Sequence, residues 1–357
     1  MTDATELLSL RPSVGHLDRL SAAGGHVSAH GWMFDPGHTF QRIEVYFDGK
    51  LAGPAHPVSR PDVEAALAWS HGAKPAGFGV EIALGSVVPK RLDVVGHVAL
   101  ATPVRLSCLI PGTEDARLPD PPRDLAMRVS KVHGPAFDAQ GLKIFTDLAD
   151  QMARVGVSSV GRLLDWGCGC GRVARYFPAH MPQMQLIGCD IDAEAIEWCR
   201  RNLRGEFIRV DPVPPTPLAD EAVDVVIACS VLTHLSAADQ AAWLREIRRI
   251  VSPGGWFLAS TNADFMFQMA RHRTRGKLRS AWKRLLGFGA AMGESTGFRD
   301  SRRDRTLDGI APPGYYRRVY QSREHTIAMC SKEFEVFDYV ECGLNGHQDL
   351  VILRRPA

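Results

Sequence analysis

The sequence predicts an α/β fold, a doubly wound parallel sheet that ends in an antiparallel hairpin, preceded by a small all-β sandwich. Short β-type runs bounded by glycine, proline and aspartate fill residues 1–110 of the 357-residue chain. From about residue 136, strands alternate with helices, which is typical of a parallel sheet covered on both faces. A proline-rich stretch over 111–135 separates the two patterns. We therefore expect an accessory domain over 1–110, a linker over 111–135 and a second domain over 136–357.

The first part contains a strong hairpin signal. Two apolar runs at 26–34 and 42–47 are followed by Asp48 and Gly49. Asp-Gly between β-type runs favours a two-residue turn, so the chain should reverse there. The other elements predicted in this part are strands at 79–84 and within 92–110, and a short helix at 63–69.

The second part alternates regularly. Ser236 and Asp239 form a capping pair before an apolar stripe at helical spacing, and 343–346 is a tight Gly-Leu-Asn-Gly turn between the last two strands. The strands predicted here are 162–166, 185–191, 206–210, 223–230, 256–260, 334–340 and 349–354, and the helices are 171–178, 192–203, one that opens at 236 and 322–332.

The composition excludes several classes of protein. Lysine and arginine number 42 against 40 acidic residues, a balance that argues against a nucleic-acid-binding surface. No apolar run is long enough to span a membrane, and the N-terminus lacks the pattern of a secretion signal. The 8 cysteines have no regular spacing, so we expect reduced thiols and a cytoplasmic location.

A glycine-rich loop carries the chemical signal. Gly167, Gly169 and Gly171 alternate directly after a strand that ends at Asp165. Glycines let the backbone approach a ligand closely, and the helix that follows offers free N–H groups. Asp190 ends the next strand, where a carboxylate suits the two hydroxyls of a ribose. Cys168 and Cys170 have no second cysteine pair at ligand spacing, so we expect no metal site.

Two ligand classes could use such a loop. A dinucleotide fingerprint requires a third glycine where this chain has Arg172, and Asp165 suits an ammonium group better than a pyrophosphate. The segment 163–172 resembles motif I of the class I S-adenosylmethionine-dependent methyltransferases. Residues 136–357 also resemble that family in element order, including the terminal hairpin that nucleotide dehydrogenases lack. The resemblance implies a Rossmann-like seven-stranded sheet and S-adenosylmethionine as methyl donor.

The resemblance also implies roles for individual residues at the donor. By this resemblance, Asp165 binds the methionine ammonium and the loop contacts the rest of the methionine portion. Asp190 binds the ribose, and the residues that follow the second and third strands contact the adenine. The residues that it implies for the donor are Asp165, Gly167, Cys168, Gly169, Gly171, Asp190, Ile191, Asp211 and, facing the transferring methyl group, Ser230.

The acceptor side is less defined. His234 follows the fourth strand and is the first candidate for a general base, ahead of His325 and His347. Tyr315 and Tyr316 are candidates for the acceptor pocket or for the surface. Residues 262–314 form an insertion that is a candidate lid for a phosphate or uronate group, or a solvated basic helix. Its basic residues are Arg271, Arg273, Arg275, Lys277, Arg279, Lys283 and Arg284.

The first part resembles a β-sandwich module attached to bacterial glycosyltransferases, through the segment 31–35, the Asp48-Gly49 hairpin and the segments 60–62 and 76–78. This resemblance implies a carbohydrate or glycolipid acceptor, although a domain that docks or forms a homodimer fits equally well. We therefore expect O-methylation of such an acceptor. The alternatives are N- or C-methylation of a small metabolite, and a non-catalytic glycan-binding protein that retains the donor site.

Overall fold

The computed structural model describes residues 10–70, 74–84, 89–112, 118–157, 160–277 and 297–357. The chain separates into two compact units. Unit 1 comprises residues 1–118, 132–151 and 342–347, and unit 2 comprises residues 119–131, 152–341 and 348–357. Each unit is described by itself below.

Unit 1 contains two β-sheets. One has five strands in the order β1-β9-β8-β4-β5 and the other has four in the order β2-β3-β7-β6, where β1 is Arg11–Pro12, β2 Val14–Ala23, β3 His26–Phe34, β4 Phe40–Phe47, β5 Lys50–Pro54, β6 His56–Val58, β7 Ala76–Ala83, β8 Arg91–Val98 and β9 Val104–Leu109. Neighbouring strands are antiparallel, except that β1 and β9 are parallel. The helix α1 (Pro61–Leu67) lies between β6 and β7 in the chain.

The predicted hairpin at Asp48 and Gly49 is confirmed. Phe47 pairs with Lys50, and both turn residues have positive φ angles, of 47° and 79°. A two-residue turn that follows the twist of the strands requires this conformation at both positions. By contrast, β2 was not predicted, because its charged and small residues interrupt the apolar pattern.

Arg60 and Asp62 of the 60–62 segment take part in hydrogen bonds that stabilise unit 1. Nε and Nη2 of Arg60 donate to the two carboxylate oxygens of Asp62 at 2.9 and 2.8 Å, and Nη1 donates to Asp18 Oδ2 at 2.5 Å. Arg60 thus ties the start of α1 to β2. A second arginine links two distant parts of the same unit. Arg91 of β8 donates through both terminal nitrogens to Asp150, at 2.8 and 2.7 Å.

Unit 2 contains a seven-stranded sheet in the order β12-β11-β10-β13-β14-β18-β17, where β10 is Gly161–Trp166, β11 Met184–Asp190, β12 Glu206–Arg209, β13 Val223–Ala228, β14 Val251–Thr261, β17 Glu335–Leu344 and β18 Gln348–Arg354. The pairs from β12 to β14 are parallel, and β18 is antiparallel to β14. The predicted α/β sheet is confirmed. The strand order reverses between β10 and β13, the place where open α/β sheets bind ligands.

Helices and a small hairpin complete the described chain. They are α2 (Arg123–Ser130), α3 (Pro135–Arg154), α4 (Phe177–His180), α5 (Ala193–Asn202), α6 (Ala237–Ile250), α7 (Asp264–Lys277), the paired strands β15 (Phe298–Arg303) and β16 (Arg317–Gln321), and α8 (Arg323–Cys330). The predicted cap of α6 is confirmed, since Ser236 Oγ accepts a hydrogen bond from the backbone N–H of Asp239 at 3.2 Å.

Three local predictions need correction, and one prediction is untested. The stretch 111–135 contains α2, so it is not an extended linker throughout. The helix predicted over 171–178 is a 3-10 turn (Ala174–Tyr176) followed by the single turn α4, because three glycines precede it and Pro178 lies within it. Strand β14 begins at Val251, before the Ser-Pro-Gly-Gly run, which forms a bulge between the Val223–Val251 and Val225–Trp256 pairs. In the basic run of the insertion, the side chains from residue 272 onward lie outside the described residues.

All eight cysteine thiols are free and buried. Among the residues that the structure describes, no group of three or more His, Cys, Asp or Glu side chains could hold a metal ion. No helix in the same ranges is long and apolar enough to cross a membrane.

Candidate functional site

A cavity in unit 2 lies beside the carboxyl ends of β10, β11 and β13, where the strand order reverses. Eight of the ten residues predicted for the donor and for catalysis line it: Asp165, Gly167, Cys168, Gly169, Asp190, Ile191, Ser230 and His234. Residues distant in sequence thus meet in one place, because parallel strands present their carboxyl ends on the same edge.

The glycine loop is bound to the end of β11. The backbone N–H groups of Gly167 and Cys168 both donate to the carbonyl of Cys189, at 2.8 and 3.1 Å. A Cβ atom at Gly167, whose φ is +78°, would lie 2.4 Å from Val231 Cγ2. Only glycine therefore fits here, for reasons of both conformation and space.

The carboxylate of Asp190 is held by the backbone. Oδ2 accepts from the N–H of Gly169 at 2.8 Å and Oδ1 accepts from the N–H of Asp192 at 2.9 Å. Burial nevertheless raises the pKa of Asp190 above its ordinary value. A carboxylate offers about four acceptor positions, so each oxygen can accept one more donor. Two adjacent hydroxyl groups of a ligand would match that capacity.

Asp165 is the most buried acid of the site, with 2% of its surface exposed. Desolvation raises its pKa to about 7, the negative charge of Asp190 adds to this effect, and the positive charge of Arg172 opposes it. A buried carboxylate of this kind is stabilised by a cationic ligand group, because the opposite charge favours the ionised form.

His234 has a defined tautomer. Its Nδ1 lies 2.6 Å from the carbonyl oxygen of Arg317, which can only accept, so Nδ1 carries the hydrogen and Nε2 carries the lone pair. The ring stacks on Tyr316, with centroids 4.0 Å apart and planes 14° apart. Burial lowers the pKa of His234 to about 4, so the imidazole is neutral at physiological pH.

An aromatic wall that the sequence did not predict closes one side of the cavity. The rings of Trp166 and Trp243 lie 4.8 Å apart. Trp243 Nε1 donates to the carbonyl of Pro212 at 3.2 Å, and the hydroxyl of Tyr315 donates to the same oxygen. The two rings are tilted by 35° and, with Ile191, give the cavity an apolar aromatic lining that suits a planar heterocycle.

Helix α2 contributes two further lining residues from the stretch predicted as a linker. Arg128 forms ion pairs with Asp192 and Glu194. A Cβ atom on Gly169 would lie only 2.7 Å from Cγ2 of Val129. Thus α2 packs directly over the glycine loop.

Ser230 adopts a left-handed conformation, with φ of 62°. Its backbone N–H donates to Ser260 Oγ at 2.7 Å, and its own Oγ donates to Gln348 Oε1 at 3.0 Å. Gln348 in turn donates to Asn262 Oδ1 at 3.1 Å. This network joins the ends of β13, β14 and β18 and holds the chain at the mouth of the fourth parallel strand.

The remaining predicted residues lie outside the lining. A Cβ atom on Gly171 would lie 2.2 Å from Leu203 Cδ1, so this glycine allows packing against α5. Asp211 is exposed and does not line the cavity. His325 lies in a groove beside α6, and Nδ1 of His347 contacts the carbonyl of Asn345.

Comparison with known proteins agrees with this geometry. Residues 164–259 match the family described as a methyltransferase domain. An uncharacterized methyltransferase of Schizosaccharomyces pombe is 31% identical over 121 residues, which are 31% of this chain and 42% of that protein. A probable S-adenosylmethionine-dependent methyltransferase of Mycolicibacterium smegmatis is 35% identical over 109 residues, 30% of this chain and 41% of its own length. A trans-aconitate 2-methyltransferase of Azoarcus sp. is 31% identical over 127 residues, 34% of this chain and 49% of that enzyme.

The chain thus spans less than half the length of these relatives. The matched stretch runs from within β10 to within β14 and contains the lining residues that lie in or directly after β10, β11 and β13. Residues 164–259 are thus similar to a methyltransferase domain.

Proposed function

We propose that this chain, through its class I methyltransferase domain, transfers a methyl group from S-adenosylmethionine to a hydroxyl oxygen of a carbohydrate or glycolipid-type acceptor. The observation that carries the proposal is the meeting of the glycine loop, Asp165, Asp190 and His234 in one cavity. The loop and the two carboxylates would bind the methyl donor, and the neutral imidazole would act on the acceptor.

The donor side fits S-adenosylmethionine. The buried carboxylate of Asp165 would hold the methionine ammonium, and the free acceptor positions of Asp190 would take the ribose hydroxyls. Ile191 and the wall formed by Trp243 and Tyr315 would cover the adenine. Gly171 supports the loop from the α5 side, and a contact from Asp211 to the adenine amino group would require that exposed side chain to turn inward.

The chain's contribution to the reaction is alignment and a base. When bound, S-adenosylmethionine supplies a methyl group already activated by the sulfonium charge. The loop and Ser230 would place that group opposite the acceptor, which is the main source of rate in a displacement of this kind. His234, neutral and with its Nε2 lone pair available, would take the proton that a hydroxyl acceptor must lose.

The carbohydrate acceptor is inferred from unit 1. The segments whose pattern resembles modules attached to bacterial glycosyltransferases lie at the end of β3, in the turn between β4 and β5, at the start of α1 and in β7. In unit 1, Arg60 of that pattern donates to Asp62 of the same pattern and to Asp18, so the pair supports the fold of the module rather than a ligand. The support for a sugar acceptor is therefore the kind of module and not these side chains.

A carboxylic acid acceptor is a second candidate, favoured by Arg172. This buried cation lines the cavity and acts electrostatically on Asp165 and Tyr316. A carboxylate is already deprotonated and needs no base, so the two candidates differ in their dependence on His234.

Methyl transfer from labelled S-adenosylmethionine into a fractionated lysate of the source cells tests the proposal. We expect label in a glycolipid or sugar fraction, and loss of that label with His234→Ala. Label in an acid-soluble ester fraction that survives His234→Ala would instead support the carboxylic acid. Label in RNA or protein, or no label with any fraction, would contradict the proposal.

A further inference from the structure

We propose that Tyr316 is a positioning residue, which together with the carbonyl of Arg317 holds the imidazole of His234 so that Nε2 faces the methyl acceptor. This inference rests on the function proposed above, and its test below is separate from the test of that function.

The hydrogen bond at Nδ1 of His234 and the ring stacked on its imidazole both come from one short segment. Tyr316 immediately precedes β16, and its carbonyl accepts from the backbone N–H of Asp304 at 2.9 Å. The next carbonyl, that of Arg317, accepts the Nδ1–H of His234 at 2.6 Å. The Tyr316 ring lies flat against the imidazole, with 4.0 Å between centroids. The segment therefore constrains both the plane of the imidazole and its rotation within that plane.

This arrangement leaves two polar groups for a ligand. In the part of the chain that the structure describes, neither His234 Nε2 nor the Tyr316 hydroxyl has a protein hydrogen-bond partner. Both residues line the cavity, together with Ser230 at the end of β13. Polar groups that line a cavity and have no protein partner are available to hydrogen-bond a ligand, so these two groups indicate where the acceptor binds.

Burial affects the pKa of His234 more than the charged groups around the imidazole do. Asp304 favours the protonated ring, whereas Arg318 and Lys131 disfavour it, and desolvation is larger than any of these effects. Nε2 therefore keeps its lone pair across physiological pH. In the transfer, the acceptor O–H bond breaks and its proton goes to Nε2, the oxygen bonds to the methyl carbon, and the electron pair of the S–CH3 bond goes to sulfur.

The test separates the ring of Tyr316 from its hydroxyl. Tyr316→Phe keeps the stacked ring and Tyr316→Leu removes it. The matched control is Phe337→Leu, which removes an aromatic ring that packs edge-on against Trp256 and is 49% exposed. The full-length chain is labelled with ¹⁵N-histidine, and the His234 signals are assigned by their loss in His234→Ala.

We expect His234 to be neutral with the hydrogen on Nδ1 in the wild type, in Tyr316→Phe and in the control. In Tyr316→Leu, signals of both tautomers should appear and the ring should protonate at higher pH. The same variant should lower kcat for methyl transfer at least about ten-fold, while the KM for S-adenosylmethionine stays unchanged.

Two results would overturn the inference. One is a wild-type tautomer and protonation behaviour in Tyr316→Leu, and the other is a changed tautomer with unchanged kcat. Failure of the proposed function would be seen separately, as a wild-type protein that transfers no label to any acceptor. The NMR spectra of that protein and its variants would still show whether the His234 tautomer depends on Tyr316. In that case a dependence supports the positioning role, and its absence refutes it.

Discussion

The backbone N–H of Gly169 donates to Oδ2 of Asp190 across 2.8 Å. The bond joins the middle of the glycine loop after β10 to the carboxylate that ends β11. The conformation of the loop and the orientation of the carboxylate are therefore set together, before any ligand binds. A preorganised site of this kind spends less binding free energy on ordering its own groups.

Donor affinity should increase as the pH rises from 6 to 7. Burial raises the pKa of Asp165 to about 7, so the carboxyl is mostly protonated at pH 6 in the free protein. The cationic ammonium of the donor requires the ionised form, so binding at pH 6 must release a proton. Linkage gives about five-fold tighter binding at pH 7 than at pH 6. Calorimetry in buffers of different ionisation enthalpy measures both the affinity and the proton release.

The control for that prediction is Asp165→Asn, which removes the titrating group and keeps the shape of the side chain. Its affinity should be lower and should not change between pH 6 and 7. A variant that retains the pH dependence of the wild type would show that another group titrates.

Gly171→Ala should destabilise the fold more than Gly156→Ala. The two glycines have nearly the same φ, +73° and +74°, so both variants incur the left-handed strain of about 1 kcal/mol. A Cβ atom on Gly171 would also lie 2.2 Å from Leu203, whereas Gly156 has no atom within 4 Å of that position. Because Leu203 Cδ1 is the end of a half-buried side chain that can rotate, overpacking should add about 1 kcal/mol, the low end of its usual cost, to the loss of unfolding free energy for Gly171→Ala. Thermal denaturation of both variants measures the difference, and equal losses would contradict the packing role.

Arg60→Ala should destabilise unit 1. Arg60 is only 19% exposed in its side chain and donates to both Asp18 and Asp62. Loss of these bonds should lower the unfolding free energy by about 1–2 kcal/mol, since hydrogen bonds to charged groups exceed neutral ones. Arg42→Ala is the control, because the Arg42 side chain is 58% exposed and its pair with Glu44 should contribute under about 1 kcal/mol. Equal denaturation midpoints for the two variants would refute the role assigned to Arg60.

The sequence predicted those parts of the site that local pattern determines. The alternation of Gly167, Gly169 and Gly171 after a strand reflects a backbone requirement, and Asp190 follows from its place at the end of the next strand. Ser236 was predictable as a helix cap for the same reason, since its side chain acts on its own helix.

The rest of the site depends on contacts between distant residues. Nothing near Trp243 in sequence indicates that its ring meets Trp166, 77 residues earlier, or that Tyr315 shares its hydrogen-bond acceptor. Helix α2 was missed because its eight residues follow several prolines, and its packing over Gly169 is visible only in three dimensions. The tautomer of His234 depends on a carbonyl 83 residues away.

Binding of S-adenosylmethionine to the wild type and to Asp190→Ala, measured by titration calorimetry at pH 7.5, tests the central claim most directly. We expect one donor molecule per chain and an affinity lower by about 1–3 kcal/mol in the variant, because ribose hydroxyls lose their partner. Asp220→Ala, at an exposed acid that does not line the cavity, should bind as the wild type does. No binding to the wild type, or equal affinities for the wild type and Asp190→Ala, would contradict the assignment of this cavity as the methyl-donor site.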